Sequence, residues 1–139
     1  MRREITQKIL DLLKEDETLK AKVKQFHFGV PTKYQVFPLI YVKRVGGPIS
    51  PATGSKKQHE IDYHVVVIDR HVDGVEAEES VNNLSDRVEE VLDENPTIGG
   101  LVRDSRFTRE ESESIIHGDY AVVGTRLTLQ TTKLLQNDG

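Results

Sequence analysis

VEAEESVNNLSDRVEEVLDENPTIGGLV, from Val75 to Val102, is the stretch that decides the fold. Val81, Leu84, Val88 and Val91 recur at steps of three and four, which places them on one stripe of an amphipathic helix. Asn95-Pro96 ends that helix, because proline has no amide proton to continue it and disfavours helical backbone in the residue before it. Gly99-Gly100 then allows a tight turn into an extended run that starts at Leu101-Val102. A helix bounded in this way has to cover a sheet.

Working outward, Ile5, Ile9, Leu12 and Leu13 define an N-terminal amphipathic helix. Leu19, Val23 and Phe26 extend the helical spacing, with Asp16 placed to cap a second short helix. Val36 to Val45 is rich in branched and aromatic residues and reads as a strand, with Pro38 near its start. A second strand runs from about Lys57 to Asp69, with Ile61, Tyr63, Val65 and Val67 on one face. On its other face Glu60, Asp62 and His64 give way to Val66 and Ile68, so its far half is buried on both sides. Paired as a hairpin, the two strands would root in the core and project a polar ribbon, with Lys43 and Arg44 facing Glu60 and Asp62. Residues 46 to 56 form its flexible tip, rich in glycine and proline and anchored by no large apolar residue but Ile49.

Two further extended segments cover residues 101 to 109 and 119 to 133. Between them, residues 110 to 117 read in two ways: His117-Gly118-Asp119 as a tight hairpin turn, or Glu110 to Ser114 as an irregular acidic loop. In the last segment Ala121, Val123, Leu127 and Leu129 share one face. At roughly 3.3 Å per residue it spans on the order of 45 Å, enough to run beyond its own core. Leu134 to Gly139 reads as a frayed tail. The expectation is a single α+β domain over residues 1 to 139, a mostly antiparallel four-stranded sheet flanked by helices, with a projecting hairpin and a long C-terminal strand.

Composition restricts the chemistry. The chain has 139 residues, enough for one core, and its 36% hydrophobic content makes that core modest. The absence of cysteine removes disulfides, thiolate nucleophiles and cysteine metal sites together. No apolar run has bilayer length and no secretory h-region follows Met1-Arg2-Arg3, so a cytosolic, soluble protein with no membrane partner is expected. Asp62 and His64 share a strand face, with His59, Asp69 or His71 as conceivable further ligands, but two ligands do not make a metal site. No serine sits in a Gly-x-Ser-x-Gly turn, and Gly99-Gly100 follows a helix where a phosphate cradle would precede one. Glu110, Glu111 and Glu113 read as solvated rather than as paired catalytic carboxylates. Neither an enzyme nor a cofactor is expected.

Charge is distributed unevenly. Residues 1 to 33 carry eight Lys/Arg against five acids, whereas residues 75 to 94 carry eight acids against Arg87 alone. A solvated helix face is the plain reading; the sharper one sets the acidic helix of one copy against a basic surface of another copy or of a partner. Lys43, Arg44, Lys56 and Lys57 gather at the hairpin tip without interleaved aromatics, which allows phosphate contact but no reading of base sequence.

The order of elements resembles the tail-terminator, or tail-completion, proteins of long-tailed bacteriophages and related archaeal viruses. Three places carry the resemblance: the first helix with its Asp16-Glu17-Thr18-Leu19 continuation, the Phe37-Pro38-Leu39-Ile40-Tyr41-Val42 strand entry, and Arg87-Val88-Glu89-Glu90-Val91-Leu92-Asp93 before the Asn-Pro-Thr-Ile-Gly-Gly break. It implies a virion protein assembled in the host cytoplasm as a hexameric ring of identical subunits. Such a ring caps the tail tube, stops its polymerisation and joins the head connector, with genome DNA passing through the lumen without sequence-specific binding. A head-completion or neck adaptor, or a small binding module unrelated to virions, are the alternatives. The resemblance transfers no interface residues, so the candidate contacts come from the chain itself: Lys43, Arg44, Ile49, Lys56 and Lys57 at the tip, Glu89, Glu90, Asp93 and Glu94 on the acidic helix, and Arg126 on the last strand.

Overall fold

A computed structural model describes residues 2–32, 36–46 and 60–133. Chain order is α1 (Arg2–Glu15), α2 (Glu17–Lys22), β1 (Gln25–Phe28), β2 (Leu39–Gly46), β3 (Glu60–His71), α3 (Gly74–Asp93), β4 (Val102–His117) and β5 (Tyr120–Lys133). The architecture is α+β: one five-stranded mixed sheet in the order β1-β2-β3-β5-β4, with helices packed on one face. All pairings are antiparallel except β1 with β2.

The fifth strand departs from the expected four. Phe26 does not continue a helix: Val23 closes α2 in an extended conformation (φ −87°, ψ 127°), its amide still bonded to Leu19 O at 2.8 Å. Phe26 then lies in β1 opposite Ile40. Helical spacing and half-buried strand alternation coincide over so few residues, and pairing with β2 decides between them. The expected cap is present, since the Asp16 carboxylate accepts the Leu19 amide at 3.0 Å.

α3 forms as its pattern requires. Asp73 caps its start by accepting the Val75 amide at 2.9 Å, and Ala77, Val81, Leu84, Ser85, Val88, Val91 and Leu92 are buried. At its end the Asn95 side-chain amide donates to Val91 O at 2.8 Å. Ile98 follows, fully buried at φ +48°, a conformation that a β-branched residue adopts only when packing compels it. Gly99 and Gly100, both at positive φ, complete the turn into β4.

The main core fills the space between the helices and the inward residues of the sheet, among them Ile40, Val42, Tyr63, Val65, Val67, Leu127 and Leu129. On the opposite face Leu39, Val66 and Ile68 form a small second cluster with Phe37, Tyr41 and Val122, as the two-faced pattern of the second strand requires. Among the described residues no helix covers that face. Arg70 sits there between two rings, 4.8 Å from the Phe37 centroid and 4.6 Å from that of Tyr120.

Three further expectations are corrected. Lys43 lies opposite His64 and Arg44 opposite Tyr63, because the unbroken register that begins with Leu39 opposite Ile68 reaches Asp62 only at Gly46, past an irregularity that follows Arg44. The polar half of β3 does not project as a two-stranded ribbon, since Glu60, Ile61 and Asp62 pair with Thr132, Thr131 and Gln130 of β5. The long last strand stays within the sheet: β5 lies between β3 and β4, and half of its residues are buried. The strand that outruns the core is β4, which continues unbroken through residues 110 to 117. His117 pairs with Tyr120 across Gly118-Asp119, and glycine at φ +63° in the first central position is what a two-residue hairpin of the II′ kind needs. Residues 47 to 56 of the proposed tip and the tail 134 to 139 lie outside the described residues.

Candidate assembly surfaces

The four acidic candidates on α3 divide by what they touch. Arg87, the one cation on the helix, turns toward α2, where its Nε donates to both Asp16 carboxylate oxygens at 3.2 and 3.1 Å. Its Nη1 stands 3.5 Å from Glu90, so Glu90 is paired. Asp16 thereby holds two positions at once, capping α2 and anchoring α3, and the Arg87 hydrogen bond holds its carboxyl below the usual aspartate range. Nothing in the spacing of Asp16 and Arg87 announced that pair.

Glu89 is different. It is half-buried on the flank of α3 that faces β4, and burial first, then the charges of Glu110, Asp86 and Asp93, pushes its carboxyl pKa up. Among the described residues no cation pairs with Glu89, Glu110, Asp86 or Asp93. Asp93 and Glu94 are exposed at the helix C-terminus, where the macrodipole opposes negative charge and the last turn holds no basic residue. The α3 and β4 flank is thus an acidic surface whose repulsion no described residue relieves.

At the other edge of the sheet the character reverses. Arg3 lies over the ring of Phe28, 5.1 Å from its centroid, although Phe28 is 45% exposed. Around them Thr6, Gly29, Val42, Lys43 and Arg44 line a depression of about 360 Å³. Lys43 and Arg44 therefore stay together as expected, with Arg3 and Phe28 beside them as members the sequence reading missed. Ile49, Lys56 and Lys57 lie outside the described residues.

Arg126 belongs to neither surface. It projects on the uncovered face of the sheet and bonds through Nε and Nη2 to Glu111 of β4, with the Nε contact at 3.1 Å. Arg109 reaches the same carboxylate at 3.4 Å, and the Arg126 hydrogen bond holds Glu111 below the usual glutamate range. Beside them Tyr41, Val66, Ile68, Ile115 and Val122 line an open groove of about 420 Å³.

His64 shares this face with Asp62, as read. Burial, then Arg126 and Lys43, lowers its pKa, which favours the neutral ring. Asp69 and His71 lie on the helix side, where the buried Asp69 accepts from the Arg70 amide at 2.7 Å and from Ser80, with His71 Nε2 at 3.1 Å. They cannot join Asp62 and His64 around one ion. Among the described residues no three potential metal-ligating side chains gather, and no helix is long and apolar enough to cross a membrane.

No protein-family model matches the chain. No curated protein matches it either. Among solved structures, one titled "Virion of native gene transfer agent (GTA) particle" is similar at 16% identity and a TM-score of 0.47, covering 89% of this chain and 91% of that one. A likeness that loose carries no functional weight.

Proposed function

We propose that the chain is a structural virion subunit that repeats head to tail in a ring, caps a tail tube, stops its growth and joins it to the head connector. The observation that carries the reading is the pair of unlike surfaces at opposite edges of one sheet. Cyclic assembly of identical subunits requires two different complementary patches on each copy. An acidic α3 and β4 flank with unrelieved repulsion, and a basic edge around Arg3, Lys43 and Arg44, meet that requirement. The long exposed edge of β4 supports it further, because such an edge on an isolated subunit invites pairing with another chain.

The particular ring, six copies at the end of a tail tube, comes from the resemblance in element order and the three sequence segments that carry it. Genome DNA would pass through the lumen without being read. Native mass spectrometry of the chain, alone and with a tail-tube protein, tests the reading. A closed species of uniform subunit number is expected, and a strict monomer under both conditions overturns it. A tube-length assay separates the terminator from a neck adaptor: added chain should shorten growing tubes, and an adaptor would leave their length unchanged.

A further inference from the structure

Resting on the ring reading, one feature of the register specifies how copies would meet. Phe28 pairs with Val42, Val42 with Val65, Val65 with Leu127, and Leu127 with Glu110. These five residues form one transverse row across the whole sheet, all on the helix side, with the aromatic at the basic edge and the acid at the acidic edge. Three parallel rows join His27 to Glu111, Phe26 to Ser112 and Gln25 to Glu113. The outer edge of β1 is therefore level with residues 110 to 113 of β4.

Strand direction adds a second constraint. β1 runs with β2, β2 against β3, β3 against β5 and β5 against β4, so β1 and β4 point in opposite directions at the two edges. A rotation axis parallel to the strands preserves each strand's direction in every copy. Under that symmetry the β4 edge of one subunit meets the β1 edge of the next antiparallel, a geometry that continues the hydrogen-bond ladder. The irregularities in β4 fall between Val102 and Asp104 and between Phe107 and Arg109, and the ladder is regular from Arg109 to His117. The segment level with β1 is thus the part fit to accept a strand.

We propose that β1 of one copy adds to the edge of β4 of its neighbour at residues 110 to 113, with Arg3 and Phe28 set against Glu110 and Glu89. Cation and acid on the helix side give the junction complementary charge, and on the open side His27 comes beside Glu111. The β4 edge and its acids are then covered in the assembly, not on the subunit.

The natural chain has no cysteine, which makes an engineered cross-link unambiguous. Facing residues of an antiparallel pair are close enough for a disulfide. Phe28→Cys and Glu110→Cys replace exposed side chains, and circular dichroism confirms that each variant folds. Mild oxidation of a mixture of the two single variants should give the mixed dimer in large excess over either homodimer, and the double variant should give a ladder ending in a closed ring. A Glu110→Cys homodimer as the main product points to β4 pairing with itself and overturns the proposal. Oligomers of the natural chain without any 28–110 bond overturn the junction but leave the ring reading standing, whereas monomers throughout, with a tail-tube protein as well as without, overturn both. In a second arm, Glu110→Lys should raise the concentration needed for assembly at least tenfold, and mixing with Arg3→Glu should restore it. Failure of that rescue also counts against the junction.

Discussion

β4 and β5 are partners in one hairpin, antiparallel over nearly their full lengths, yet they live in different surroundings. β5 has a strand on each side and helices above, and it buries Ala121, Val123, Thr125, Leu127, Leu129 and Thr131 on one face. β4 has one neighbour, and of its residues Val102 alone is buried. Ile115 and Ile116 are 57% and 80% exposed at its far end. The difference separates two jobs that alternation along a strand cannot distinguish: β5 holds the subunit together, and β4 presents an edge. A strand that buries so few of its own side chains is free to be selected for what it meets.

The largest effects should break that comparison if it is mistaken. Leu127→Ala empties a fully buried position and should cost about 3 kcal/mol of unfolding free energy in urea titrations of the isolated chain. Ile116→Ser at the exposed end of β4 should stay within about 0.5 kcal/mol in the same assay. Equal costs at the two sites would show that β4 is part of the core after all.

Behind β5, the helix layer offers the next test. Asp16→Asn keeps a side-chain oxygen for the α2 cap but removes the anion that Arg87 grips, with an expected cost of about 1.5 kcal/mol at neutral pH. The sign follows from the folded carboxyl lying lower than in the unfolded chain. Its contribution is complete above an unfolded aspartate pKa of about 3.9 and is lost as pH falls through the lower folded value. The natural chain and the variant should therefore converge in acid.

Arg126→Ala cuts the exposed link between β5 and Glu111 of β4, and its effect on the urea midpoint should be smaller than that of Asp16→Asn. Glu89→Gln should act with the opposite sign and least of all. Its folded carboxyl is raised, so the ionised form strains the isolated fold, and neutralising it should stabilise the chain by about 0.3 kcal/mol at neutral pH. The gain should vanish below the unfolded glutamate pKa, where both chains are neutral, while ring assembly of the variant weakens. A position where removing charge helps the subunit and harms the assembly marks a contact surface.

Much of the fold was legible because its signals are local. The Val81, Leu84, Val88 and Val91 stripe, the Asn95-Pro96 stop, the Asp16 cap and the change of face along β3 each depend on residues within a few positions of one another. What the chain did not disclose depends on partners far away. Phe26 looked helical until β2 claimed it, and residues 110 to 117 stayed open between a hairpin turn, which the structure forms, and an acidic loop, because their strand pairing rests on a neighbour, not on their own alternation. The same reason governs the candidate surfaces. Net charge located the acidic helix, but Glu89 and Glu90, adjacent in the chain, separate once Arg87 turns toward Asp16 and β4 brings up Glu110. Arg126, a plausible free cation on paper, is committed to Glu111.

Amide hydrogen exchange, compared between dilute monomer and assembled rings, tests the division between the two strands most directly. β5 should be protected to the same degree in both states, and those amides among residues 110 to 113 of β4 that point away from β5 should pass from fast exchange in the monomer to strong protection in the ring. Rings in which those β4 amides still exchange as they do in the monomer would contradict the account.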